Sequence, residues 1–331
     1  MSSSPIADLS YRNYDGPLEP LNHRWWSIAK STMRIGFKKK SAWWCSIASA
    51  WYFYAMIFVI FITDKAAEAA GNAPQMQTMT SFFGRVRWSD QFLHGLQYGQ
   101  ILYFIVALIL GAGSIANDTR ANALLVYLSK PISKRDYVFG KWFGIFLPLL
   151  TIMAAPVLLF YLYGLMSFRD KGFVSQDPLL IFKLFAIMPF AAAFYASLAL
   201  GISSMFNQGR TAGAVFGGMY FLSNFFTVLM TVAYFGMSGE FSRRGHRPSA
   251  PQGALDTVMY LAHSSIDGIS NSFTQAVLGR ATTAPFNIPV MRGPISTPAP
   301  PLLFGLGIGL FVIMISIGLA WRRVRAVEIV G

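Results

Sequence analysis

Six stretches of this chain, each at least 20 residues long, contain no Asp, Glu, Lys, Arg or His: Ala42–Thr63, Tyr98–Asn117, Trp142–Ser167, Leu184–Phe206, Thr211–Phe235 and Pro301–Trp321. A helix rises 1.5 Å per residue, so about 20 apolar residues cross the hydrocarbon core of a bilayer. Within lipid every backbone N–H and C=O must be paired inside the segment, and a helix does this alone. The expected fold is therefore an all-α polytopic membrane protein with six transmembrane helices. Composition agrees, since 54% of residues are hydrophobic and 12% charged, against about 25% charged in soluble domains.

The net charge is +13, from 27 Lys and Arg against 14 Asp and Glu. These cations cluster between apolar runs, which fits loop retention beside a membrane and argues against nucleic acid as a partner. The N-terminal arm carries seven, Arg12, Arg24, Lys30, Arg34, Lys38, Lys39 and Lys40. The loop after the second span, counted to Lys141, carries five, and the tail carries Arg322, Arg323 and Arg325. That distribution places both termini in the cytoplasm of a cell with the chain in its plasma or inner membrane. No apolar core opens the chain, so the first span is expected to stay in the mature protein. Cys45 is the sole cysteine, which excludes an intrachain disulfide.

The segments between the spans divide the chain. Residues 1–23 form a polar arm, and 24–41 an amphipathic helix. Spans and loops occupy 42–321, and 322–331 form a basic tail. In the amphipathic helix Trp25, Ile28, Ala29, Thr32, Met33, Gly36 and Phe37 share one face, with Arg24, Lys30, Arg34 and Lys38 away from it. Such a helix lies among lipid headgroups or packs on a partner. From Asp118 to Lys141 the sequence reads DTRANALLVYLSKPISKRDYVFGK. Asp118 is expected to cap a short helix that Pro131 ends, and Ser133 with Asp136 forms a capping box for the next. A helix held at both ends transmits force from a soluble partner, or is an inert surface element. Gly209, Gly213 and Gly217 form a GxxxGxxxG ladder suited to close helix packing, within the chain or across a dimer. The loop 236–300 is expected to hold one or two re-entrant or interfacial helices over Leu255–Leu278, followed by a proline-rich return.

The chain lacks GxxxxGK[ST], GxGxxG after a strand, HExxH and GxSxG. No catalytic residue, cofactor site or metal site is assigned. The uncharged spans offer no ionisable group for proton coupling, which disfavours a secondary carrier.

The stretch Asp118–Lys141 resembles the ABC type-two permeases, membrane subunits of exporters with separate ATPases. Asp118, Arg120, Leu124, Tyr127, Leu128, Ser129, Lys130, Pro131, Ser133, Lys134, Tyr137, Gly140 and Lys141 carry the match. The amphipathic arm, the six-span layout and the ending RRVRAVEIV accompany it. The resemblance implies that residues 118–141 hold a cytoplasmic coupling helix docked on an ATPase subunit. Asp118, Arg120, Leu124, Leu125, Tyr127 and Leu128 would form that docking surface. ATP and Mg would be bound by the partner, and a second permease copy or homologue would pack along the first and fifth spans. The longer outer loops leave the cargo unassigned and an extracytoplasmic partner open. The alternatives are a mechanotransmission or scaffold subunit that moves no cargo, and a secondary carrier.

Overall fold

The computed structural model describes residues 24–70, 87–123, 132–169, 172–238, 250–279, 282–283, 296–297 and 300–324. Six helices are long and apolar enough to cross a membrane: Lys40–Ala66, Trp88–Arg120, Lys134–Phe168, Leu180–Met205, Gly209–Met237 and Leu302–Arg323. The chain is a multi-pass membrane protein.

The arm forms α1 (Arg24–Phe37). It ends four residues short of the expected 24–41, and Lys39 is extended before α2 (Lys40–Ser49) begins. The expected apolar stripe is used, with Ile28, Ala29, Thr32 and Gly36 buried. It packs on α6 (Lys134–Phe168) of the same chain. Two glycines of α6 make this approach possible. A Cβ on Gly140 would stand 2.6 Å from the Trp25 carbonyl, and one on Gly144 would stand 2.5 Å from Thr32 Cβ.

The first span is two helices, α2 and α3 (Trp51–Ala70), joined at Ala50. The second, α4 (Trp88–Gly111), starts ten residues before the uncharged run. Its first turns carry Asp90 and His94, which is why hydropathy alone starts the span late. A turn then leads to α5 (Ala116–Arg120). The helix α6 keeps Pro148 and Pro156 within its length; neighbouring helices and side chains re-satisfy the freed backbone groups of such prolines in lipid. A short α7 (Phe173–Gln176) precedes α8 (Leu180–Met205), and Lys183 pairs with Asp177 at 2.6 Å. After a three-residue turn comes α9 (Gly209–Ser238).

Two non-spanning helices follow, α10 (Gln252–Ala262) and α11 (Ile266–Leu278), which cover the expected Leu255–Leu278 stretch and begin three residues before it. The hydroxyl of Ser265 caps α11 by accepting from Gly268 N at 2.9 Å. Thr282–Thr283 (β1) and Ser296–Thr297 (β2) pair antiparallel, with Thr282 opposite Thr297. Pro300 and Pro301 lead into α12 (Leu302–Arg323).

The middle of the bundle is α8. Phe194, Tyr195, Ala199 and Leu200 on it are all 1% exposed or less. It touches α12 at Gly201, where a Cβ would come within 2.9 Å of Ser316 Cα. The outer faces of α3 and α9 are apolar and exposed, with Phe58, Phe221, Leu222 and Phe225 each 60% exposed or more. In a membrane chain that is the expected inversion, because hydrocarbon or another spanning subunit covers such a face.

Candidate functional site

Four elements meet where α4 gives way to α5. The turn between them leaves two backbone amides outside the helical ladder. Both are taken by one side chain of α8, because Ser203 Oγ accepts from Ile115 N at 3.0 Å and from Ala116 N at 3.1 Å. From α6, Lys141 reaches under the same turn. Its Nζ donates to the Ser114 carbonyl at 3.0 Å and pairs with the Asp118 carboxylate at 2.7 Å. The Tyr137 hydroxyl donates to the same carboxylate at 2.7 Å. The Lys141 side chain is 7% exposed and that of Asp118 19%, so the pair is drawn largely out of water. A partly buried ion pair holds geometry more firmly than a surface pair. Asn117 adds α9, since its Oδ1 accepts from Gly209 N at 3.2 Å.

A second polar centre lies deeper, where α11 enters the bundle. The Asp267 carboxylate accepts from the hydroxyls of Tyr195 on α8 at 2.6 Å and Tyr220 on α9 at 2.5 Å. The Asn224 amide also donates to it, at 3.2 Å. Beside it Gln100 of α4 and Asn271 of α11 exchange two amide hydrogen bonds, at 2.7 and 3.0 Å. Gln100 and Tyr195 lie near the middle of their spans, so α11 carries a carboxylate to mid-span depth. Burial raises the Asp267 carboxyl above its ordinary range, and the three donors offset part of that rise. Earlier in the loop, His263 Nδ1 lies 2.9 Å from the Met259 carbonyl in the last turn of α10. Burial lowers that imidazole below its usual value.

Residues 26–321 of the chain match the ABC-2 family transporter protein family. The chain belongs to the ABC-2 transporter family. Comparison with curated proteins finds no match for the chain. As an ABC-2 chain it is a permease, the membrane subunit of an ABC transporter.

The docking residues expected on this permease divide into two groups. Asp118 and Arg120 are described, and both lie on α5. Asp118 is not the helix cap, because α5 begins two residues earlier at Ala116 and the residue at its N-cap, Ile115, supplies no side-chain bond. The carboxylate goes to Lys141 and Tyr137 instead, a stronger partner set than a backbone amide. Arg120 is exposed. Leu124, Leu125, Tyr127 and Leu128 lie outside the described residues, as does Pro131. The capping box is present, with Asp136 N donating to Ser133 Oγ at 3.1 Å and Ser133 N to Asp136 Oδ2 at 3.2 Å. Lys134 and Arg135 of that first turn stand over the Trp321 ring at 5.6 and 5.9 Å, tying α6 to the end of α12.

The glycine ladder of the ABC-2 chain faces α4 of its own subunit. A Cβ on Gly209 would meet Asn117 at 2.7 Å, one on Gly213 would meet Ala112 at 3.7 Å, and one on Gly217 would meet Leu108 at 4.0 Å. Only the first position is a close approach. Gly305 and Gly309 of α12 are tighter, against the Phe273 backbone at 2.6 Å and the Phe190 ring.

Asp267 was invisible to span-based reading because it belongs to no span. The expectation that no carboxylate lies at membrane depth is corrected by α11. A signal existed in the isolated polar residues Tyr195, Tyr220 and Asn224 on otherwise apolar helices, which need a partner when buried.

Proposed function

We propose that this permease is moved by ATP hydrolysis on a partner ATPase and exports its cargo. The partner would grip the stretch from Asp118 to Lys141, using Arg120, Leu124, Leu125, Tyr127 and Leu128, and would itself hold ATP and Mg. The observation that carries this reading is the Asp118–Lys141 pair with its Tyr137 bond. It fastens the start of the stretch to the helix that follows it, so a push on the segment is delivered to α6 rather than lost in a loose loop. Ser203 and Asn117 extend the same fastening to α8 and α9. A second permease copy against the exposed faces of α3 and α9 would complete the transporter, with both termini on the ATPase side.

The test is Arg120→Glu combined with Leu124→Asp. Membrane insertion should be unchanged and the stimulated ATPase activity of the complex abolished. Unchanged turnover counts against the docking role.

Asp267 supports a second reading. A buried carboxylate at mid-span depth is the kind of group an ion-coupled carrier uses. Family membership favours the ATPase instead, and Asp267→Asn separates the two. ATP-driven transport persists in the first case only, whereas loss of transport by the purified chain under an ion gradient marks the second. A force-transmitting subunit without cargo would also use the Asp267 contact, since α11 then carries motion to the outer face.

A further inference from the structure

A groove of about 530 Å3 opens between the start of α2 and the start of α9, at the same end of the bundle as α1. Three cations line it: Lys39, Arg120 and Arg210. No carboxylate is among the residues that line it; the polar neighbours are Asn117 and Gln208. Asp118, the nearest acid in sequence, is already committed to Lys141 and Tyr137. Neither Arg120 nor Arg210 has a carboxylate partner among the described residues. Lys39 donates only to the Ile109 carbonyl, and burial lowers its ammonium pKa. Three like charges thus face one cavity without a carboxylate counter-ion among the described residues, and each is relieved by an anion.

The other wall is apolar. Leu108, Ile109, Ala112 and Gly213 form it. Farther along, α9 stays at ordinary contact distance from α4, a Cβ on Gly213 standing 3.7 Å from Ala112 and one on Gly217 4.0 Å from Leu108. Beyond the groove, the same helix α9 presents an exposed apolar face with Phe221, Leu222 and Phe225. A basic pocket between spanning helices at the headgroup level fits the phosphate of an anionic lipid, and an exposed apolar helix face beside it fits the acyl chain.

We propose that this groove binds an anionic membrane lipid, with its phosphate between Lys39, Arg120 and Arg210 and its tail along α9. Binding here needs no ATPase partner, but Arg120 is shared with the docking surface proposed above, so the variants below leave Arg120 in place and their failure is distinguishable from failure of the docking reading.

The experiment uses the full chain purified in neutral detergent and titrated with phosphatidylglycerol, phosphatidylcholine or inorganic phosphate, with bound lipid read by native mass spectrometry. Phosphatidylglycerol should bind more tightly than zwitterionic phosphatidylcholine. Lys39→Gln with Arg210→Gln should weaken it roughly thirtyfold, as loss of two headgroup-level charges implies. Arg322→Gln with Arg323→Gln removes the same charge from the end of α12 and should leave binding within about twofold. Arg210→Lys, which keeps the charge, should restore most of the affinity when compared with Arg210→Gln, and a matched elution profile shows that each variant is folded. Equal weakening by the two double variants overturns the proposal. So does displacement of the lipid by millimolar inorganic phosphate, which would make the groove a site for a free anion.

Discussion

The Tyr195 hydroxyl donates to the Asp267 carboxylate across 2.6 Å, which fastens the most central spanning helix to a helix that does not span. Tyr220 and Asn224 make the same carboxylate common to α9. Removing one donor leaves a buried charge short of a partner. Tyr195→Phe and Tyr220→Phe should each lower stability by about 1.5–3 kcal/mol, the range for hydrogen bonds to charged groups. Thermal unfolding in detergent measures it. In an Asp267→Asn background the cost of Tyr195→Phe should fall to about 1 kcal/mol; an equal cost would mean the acid is already neutral.

The same carboxylate predicts a pH dependence. Its pKa is raised in the folded protein above the ordinary 3.8. Across the interval between those two values the folded state holds the proton more tightly, so stability should fall as pH rises from about 4 through the folded pKa. The titratable groups facing it are the Tyr195 and Tyr220 hydroxyls, which stay protonated over that interval. Melting temperature against pH checks the slope, and Asp267→Asn should flatten it.

Breaking the Asp118–Lys141 pair should cost about 3 kcal/mol, the low end for a buried pair because the carboxylate is partly exposed. Lys141→Met should show this loss in a detergent melt. Asp118→Asn with Lys141→Met should recover a large part of it, since no unpaired charge remains. If the double variant is no better than the single, the pair is not the source of the rigidity.

Ser203→Ala should expose a local weakness rather than unfold the bundle. It strips the acceptor from two buried amides, each worth about 1–3 kcal/mol when left unpaired. Hydrogen exchange at Ile115 and Ala116 should accelerate, while exchange in the middle of α8 should not.

Glycine substitutions should follow the approaches in the structure rather than the sequence motif. Gly201→Ala and Gly305→Ala press on backbone at 2.9 and 2.6 Å and should each cost about 1–3 kcal/mol. Gly217→Ala has ordinary contact distance at 4.0 Å and should be neutral in expression and melting.

That contrast marks what was legible in the sequence. Six spans follow from charge-free length alone, because the cost of burying an ion in lipid is large and independent of packing detail. The Ser133–Asp136 box was equally legible, since capping is local chemistry. The early start of α4 was not, because Asp90 and His94 interrupt the hydropathy without breaking the helix. Asp118 was identified as important but for the wrong bond, since its partners Tyr137 and Lys141 lie a helix away and spacing does not reveal them. Asp267 depends on four elements converging, which no periodicity encodes. The spacing of the glycine ladder does not reveal its distances, which are close at Gly209 and ordinary contact at Gly213 and Gly217.

The seat of α11 has a consequence for biogenesis. Ribosomal order delivers α4, α8 and α9 before α11 and α12 after it, yet the Phe273 backbone of α11 rests against Gly305 of that later helix. Its berth is therefore incomplete until α12 has been made. A nascent chain stalled before Leu302 would hold Asp267 next to its tyrosines with one wall missing, so the seat of α11 is completed only when α12 packs against it.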